Sequence, residues 1–385
     1  MALGNILKHL RALKPALKPA LKPAIAGVGP IGMDISMSSI NLCQLKQVAE
    51  HRFTVLAKVS IAFSGSRSDL IKSPKRLKKL LAQGMAKQGF RSRKVVTVMP
   101  PDKLKIIPVT YRSNVADAGQ EILKMLSGRL EGDIADYIID YFPVRASVQD
   151  EEHLALATIA RRDDVMEYLQ ALSQANFTVQ ALDVGPAALR RLVSCLYIDE
   201  PAKTILVINA GINSTYLTVI SGRRLLFDQP VKFGEQALLE HLSQALELPE
   251  DVCRDLVFRH GMKAASPDAM HPSMVADTDY SQAILEILKP AFLKLLEEIN
   301  RVLIFTTSET HGLPVSQVCL LGSMARWPGA DELLHELIDV PLSCVKDSFD
   351  KVIEDTSEAG NRWSDHVPEL AMATGLALRG LAENG

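Results

Sequence analysis

Cysteine is sparse here, and where it occurs it stands alone. Cys43, Cys195, Cys253, Cys319 and Cys344 are five in 385 residues, with no Cys-x-x-Cys pair and no histidine spacing that suits zinc. A disulfide framework and a thiolate metal site are therefore excluded, and the thiols read as core residues of a reducing compartment. An excess of one charge is lacking too: 43 Lys and Arg against 45 Asp and Glu leave a net charge of −2, with a pI near 6.5. Nothing global points to nucleic acid, and any electrostatic partner has to be read from local patches. No apolar run reaches the roughly 18 residues that a membrane-spanning helix needs. The amino terminus lacks the apolar stretch and small-residue cleavage site of a signal peptide, so the expected location is the cytoplasm. What the chain has in quantity is apolar residues, 47% of the total, over a length that accommodates two or three domains with a substantial core.

The first 26 residues stand apart. Leu3, Ile6, Leu7, Leu10 and Leu13 recur at three and four, with Lys8, His9, Arg11 and Lys14 largely between them, which predicts a short basic amphipathic helix. Leu-Lys-Pro-Ala then occurs three times from Leu13 to Ala24. Proline at every fourth position fixes φ and removes donors, so this is an extended spacer. The leader reads either as a contact with an anionic membrane surface or as a tail ahead of the first strand, because one short helix holds lipid weakly without a second anchor. Between Lys72 and Lys94 there are nine Lys or Arg and no acid, again a solvated face or a surface turned to anionic lipid. Within that stretch Ser73-Pro74 opens a helix whose buried stripe is Leu77, Leu80, Leu81 and Met85.

Residues 94–182 read as a separate module of strands and two helices, the second starting with a capping box of Asp164 and Glu167. A helix from Pro186 to Leu196 leads back to the main sheet. Gly261 to Tyr280, with Met270, His271 and Met274, has the composition of an exposed loop more than of a soft metal site. Ile284 to Phe305 is helical with an offset expected at Pro290, and Lys346 to His366 reads as a loop. A last helix from Pro368 carries Ala371, Gly375 and Ala377, small enough for close packing.

Two hairpins organise the rest. Ile31 to Leu45 runs strand, small polar turn, strand, with Asp34, Ser36, Ser38, Ser39 and Asn41 at the turn. About 175 residues later Thr204 to Ile208 and Thr215 to Ile220 flank Asn209, Gly211, Asn213 and Ser214. Such turns bring backbone N–H groups close to an anion, and two of them imply related halves closing on one polyphosphate. The strand Val318 to Leu321, the turn Gly322-Ser323-Met324-Ala325 and the helix Asp331 to Ile338 repeat the pattern of a nucleotide-contacting corner. The plainer reading is that Asp34 caps a turn and Asn209 is an ordinary turn residue.

The order of hairpin, inserted module, second hairpin and Leu-Leu-Gly-Ser corner resembles the actin-like ATPase superfamily. Within it the chain is similar to the PilM-like family of type IV and MSHA pilus assembly proteins. The motifs that carry this are Gly32-Met-Asp-Ile, Ile139-Asp-Tyr, Leu182-Asp-Val-Gly-Pro-Ala-Ala-Leu, Glu298-Ile-Asn-Arg and Ala373-Thr-Gly-Leu-Ala-Leu-Arg. The resemblance implies an α/β, actin-like (ribonuclease H-like) two-domain fold with an inserted α/β subdomain. Domain 1 would be 27–93 plus 183–202, the insert 94–182 and domain 2 203–385. It also implies an ATP and Mg²⁺ site using Asp34, Ser36, Ser38, Ser39, Asn41, Asn209, Gly211, Asn213, Ser214, Gly322 and Ser323, with Asp34 toward the metal. The family pattern has glycine, a hydroxyl residue and lysine where this chain has Ser36, Met37 and Asn41, and aspartate where it has Asn209. Losing a metal-ordering carboxylate and a phosphate counter-charge argues against hydrolysis, so no catalytic residue is assigned. The implied role is an adaptor at the inner-membrane face that binds the cytoplasmic tail of a PilN-like bitopic protein. An active ATPase, a cytoskeletal filament protein or a sugar-kinase-like enzyme are the alternatives.

Overall fold

The computed structural model describes residues 27–112, 117–145, 152–262, 272–344, 352–355 and 367–382. The basic leader and spacer, Met270 and His271, and most of the 346–366 loop lie outside the described residues. The chain folds as two compact units, one of residues 1–198, 349–366 and 370–385, the other of 199–348 and 367–369.

The first unit holds β1 (Val28–Ile35), β2 (Ser39–Ala49), β3 (Arg52–Ala62), β4 (Lys94–Val98), β5 (Leu104–Arg112), β6 (Tyr137–Arg145), β7 (Glu152–Arg161) and β8 (Thr178–Asp183). Its main sheet runs β3-β2-β1-β4-β8, with a short strand, Ile353–Asp355, added parallel to β3. β1 alternates strictly. Ile31, Met33 and Ile35 are buried and join Leu42, Leu70, Leu77, Leu81 and Tyr168 in one core. The opposite face presents Gly32, where a Cβ would overlap the carbonyl oxygen of Ala373 in the helix Val367–Ala382. The small residues foreseen in that last helix do permit close packing: a Cβ on Gly375 would strike the carbonyl of Ala188, and one on Gly380 the ring of Pro30.

Several expected boundaries shift. β4 and β8 belong to the main sheet beside β1, so the separate module is not 94–182 but the three-stranded sheet β5-β7-β6 with the helix Ala118–Ser127 on it. The helix Arg162–Gln174 packs Val165, Tyr168, Leu169 and Leu172 on the main core, and its N-cap, Arg161, makes no side-chain cap bond. The capping box is absent because the helix begins before Asp164, which lies in its first turn and pairs with Lys103 at 3.0 Å. Residues 370–385 join the first unit instead of the second, since Gly32, Pro30 and Ala188 are what their small side chains pack on. The expected loop 346–366 includes the strand Ile353–Asp355.

The second unit holds β9 (Thr204–Ala210), β10 (Thr215–Ser221), β11 (Arg224–Val231), β12 (Gln317–Leu321) and β13 (Leu342–Cys344), in the order β11-β10-β9-β12-β13. The neighbours are antiparallel, antiparallel, parallel and parallel. β3-β2-β1-β4-β8 has the same sequence of directions. The inference of two related halves therefore holds at the level of topology. One helix, Pro272–Glu309, continues through Pro290 and includes residues 272–280, which had read as loop. Leu288, Phe292, Leu295, Ile299 and Val302 are all buried along it. Five such side chains at about 1.5–3 kcal/mol each outweigh the roughly 3 kcal/mol that an interior proline costs.

Candidate functional site

The first turn is built by the β1-β2 register, which sets Asp34 opposite Asn41 and Ile35 opposite Ile40. Ser36 Oγ donates to the Ser39 carbonyl at 3.0 Å and accepts from Ser39 N–H at 3.2 Å, and the two hydroxyls lie 2.9 Å apart. The Ser36 N–H donates to the Ser39 carbonyl as well. Ser38 lies exposed at the tip. Asn41, buried, donates from Nδ2 to Asp34 Oδ2 at 3.3 Å and accepts from Ser60 Oγ at 2.7 Å. Burial pushes the Asp34 carboxyl up to about 6, against the opposing pull of the Asn41 amide and the Arg67 guanidinium. The expected cluster Asp34, Ser36, Ser39 and Asn41 is thus one hydrogen-bonded group, closed on itself.

The second turn is closed in the same manner. Gly211 N–H donates to the Ser214 carbonyl at 3.1 Å, and a Cβ on Gly211 would come within 2.9 Å of that oxygen. Asn213 lies exposed at its tip. The first two N–H groups of the helix Glu235–Leu246 donate to the carbonyls of Gly211 and Ile212. A carboxylate, Glu235, sits where the helix dipole would favour an anion, and Arg254 lies 3.7 Å from it. Gly322, at φ +87°, brings the corner against β9: a Cβ there would overlap the Ala210 carbonyl and come within 2.9 Å of Asn209 Oδ1. Ser323 Oγ donates to the Ala210 carbonyl at 3.4 Å. Asn209, Gly211, Gly322 and Ser323 are therefore together, as expected, but the glycine at 322 serves the approach of two backbones.

A magnesium–triphosphate site needs ionised carboxylates and unengaged N–H donors. Here the one acid of the first turn is held toward its neutral form, the lysine position is an amide already engaged, and the leading N–H groups of the second turn and its helix are taken up by carbonyls. Among the described residues no group of three His, Cys, Asp or Glu could hold a metal ion. Of the groups expected at the first turn, Asp34 alone is an acid, and the hydroxyls and amide beside it are engaged with one another.

Two features of the first unit were not read from the sequence. A shallow, solvent-open depression is lined by Arg67, Met99, Asp102, Lys103, Asp164 and Tyr168, among others. Arg67, almost fully buried, bonds the Ile35 carbonyl and pairs with Asp102; Tyr168 bonds Thr97, which in turn donates to the Met33 carbonyl. The depression thus adjoins the first turn. The signal available was local, the Ser66-x-x-Asp69 box that caps the short helix Arg67–Ile71. The second feature is Asp183, which ties Arg191 and Arg379 and so links two of the motifs that carried the resemblance.

A match to the family described as type IV pilus assembly protein PilM spans residues 32–381. The chain belongs to the PilM family. Among solved structures it is similar to a PilM-PilN type IV pilus biogenesis complex, at 21% identity over 93% of this chain and 99% of that one, TM-score 0.71. It is also similar to the ethanolamine utilization protein EutJ from Carboxydothermus hydrogenoformans, at 14% identity over 98% and 96%, TM-score 0.50. A further one, MreB 5 of Spiroplasma citri bound to AMPPNP, is 12% identical over 85% and 94%, TM-score 0.47. The fold of this PilM-family chain is the mixed α/β, actin-like one, and the Asp34 and Gly322 regions both lie within the matched residues. No helix among its described residues is long and apolar enough to cross a membrane.

Proposed function

We propose that the protein is a cytoplasmic adaptor of type IV pilus assembly at the inner-membrane face. It binds the cytoplasmic tail of a PilN-like bitopic protein and works by docking, without nucleotide turnover. The observation that carries this is the self-satisfied first turn, where Ser36, Ser39 and Asn41 engage one another and Asp34 is held at about 6. A turn of that kind has its hydroxyls and amide engaged with one another, whereas the neighbouring depression is open and carries both signs of charge. Membership of the PilM family supports the process, and the solved PilM-PilN complex supports the class of partner.

The depression lies where the chain leaves the main sheet after β4 and returns through the helix Arg162–Gln174, so a short peptide laid there would touch both sheets' connections. Titrating the purified protein calorimetrically with the cognate tail peptide should give saturable binding. Lys103→Glu should weaken it about tenfold or more, as removal of a docking charge does. Absence of binding would sink the adaptor reading, and undiminished binding by the variant would move the peptide elsewhere. In parallel, ATP hydrolysis with Mg²⁺ should stay at background; turnover of about one per second, within the ordinary enzyme range, would favour an active ATPase. Polymers that pellet on adding ATP would favour a filament protein.

A further inference from the structure

We propose that the outward face of the helix Pro74–Met85, with the basic residues at its two ends, is a docking surface for an anionic lipid bilayer. The helix buries Leu77, Leu81 and Met85. Its opposite face must therefore carry Lys75, Lys78 and Lys79, at i, i+3 and i+4 on one side, and all three are exposed. Lys72 precedes the helix and Lys87 follows it, both exposed. Arg76 turns its guanidinium to the carbonyl and hydroxyl of Ser64, which are neutral.

None of these six cations is in an ion pair with a described residue, although ion pairs occur elsewhere in the same unit, at Arg67, Lys103 and Arg191. From residue 72 to residue 94 there is no acid at all. Like charges this close repel one another unless something outside the protein neutralises them. A chain whose net charge is only −2 has enough acids to have placed some here.

The kind of polyanion follows from the residue types. Single-stranded nucleic acid is held by aromatic platforms and by arginine, yet five of the six cations are lysines, and the aromatic of this stretch, Phe90, packs against the core. Lysine is a compact point charge suited to a diffuse field of one sign, such as an anionic leaflet presents within a Debye length of about 8 Å. A second basic segment points to the same partner. The first 26 residues carry Lys8, Arg11, Lys14, Lys18 and Lys22, no acid, and leucines at helical spacing. One weak lipid contact is marginal and reversible, and two together hold. The inference does not rest on the adaptor reading: the lipid experiment contains no peptide, and the peptide titration contains no lipid.

The full chain should co-sediment with vesicles of phosphatidylcholine containing phosphatidylglycerol, should not do so with phosphatidylcholine alone, and should be released by salt. The triple variant Lys75→Gln, Lys78→Gln, Lys79→Gln should bind the anionic vesicles about 100-fold more weakly, at about fivefold per charge. Its thermal midpoint should not fall, because those side chains are in no ion pair with a described residue and repel one another. The same loss is expected in a full chain that also carries Lys8→Gln and Arg11→Gln, which separates the face from the leader. Equal binding by the triple variant, binding to neutral vesicles, no vesicle binding, or retention on a mixed-sequence oligonucleotide in place of vesicles would each overturn the proposal.

Discussion

Asp34 shows how burial changes the chemistry of one side chain. Its carboxyl is raised from 3.8 to about 6, first by burial, with Asn41 and Arg67 pulling the other way. The folded chain therefore holds a proton between those values that the unfolded chain has released. Its stabilising share is complete below about pH 4 and is lost as pH rises through about 6. Asp34→Asn should stabilise the protein by about 1–2 kcal/mol above pH 7 and by nothing at pH 4. Urea unfolding of both chains at the two pH values measures this, and a loss of stability at pH 7 would mean that the ionised form has a counter-charge. The position of Asp34 was legible from the Gly32-Met-Asp-Ile pattern. Its state was not, since the amide facing it comes from β2 and the guanidinium from the helix Arg67–Ile71.

The hairpins and the last helix were readable as elements because their signals are local. Small polar turns marked the two hairpins, the Asn209 to Ser214 cluster among them, and Gly375 with Ala377 marked a close-packed helix. The partner of that helix was unreadable. Gly32 on β1 and Gly375 on the helix are the points where backbone meets backbone, and neither chain segment carries a pattern naming the other. Gly32→Ala should cost about 3 kcal/mol, the upper end of ordinary overpacking, because the atoms it would meet are main-chain and cannot rotate away. Gly128→Ala is the control: a Cβ there meets nothing within 4 Å, so its effect should stay within about 0.5 kcal/mol. Denaturant midpoints for the two variants check both values, and equal midpoints would contradict the packing argument. One boundary was misread for a local reason: Asp164 read as the cap, but the helix begins two residues earlier, at Arg162.

Two units share one order of strand directions, and this repetition is the feature of the molecule that its two turns foretold. The main sheet of the first unit begins at Val28, after the basic leader and its proline spacer. Deleting residues 1–24 should accordingly shift the thermal midpoint by less than about 2 °C, which on the usual scaling is about 1 kcal/mol for a unit of about 200 residues. A larger fall, or loss of soluble protein, would show that the leader belongs to the core.

What the residues determined alone was the repeating plan of two hairpins and, through the motifs that resemble it, the family, because turn composition and short motifs are properties of neighbours along the chain. What the tertiary structure decided was that Asn41 closes on Asp34, that the last helix joins the first unit, and that Arg67, Asp102, Lys103 and Asp164 line one depression. The first depends on the register of a hairpin seven residues wide, and the other two on groups brought together across tens or hundreds of residues, where hydrogen bonds, burial and charge act through space.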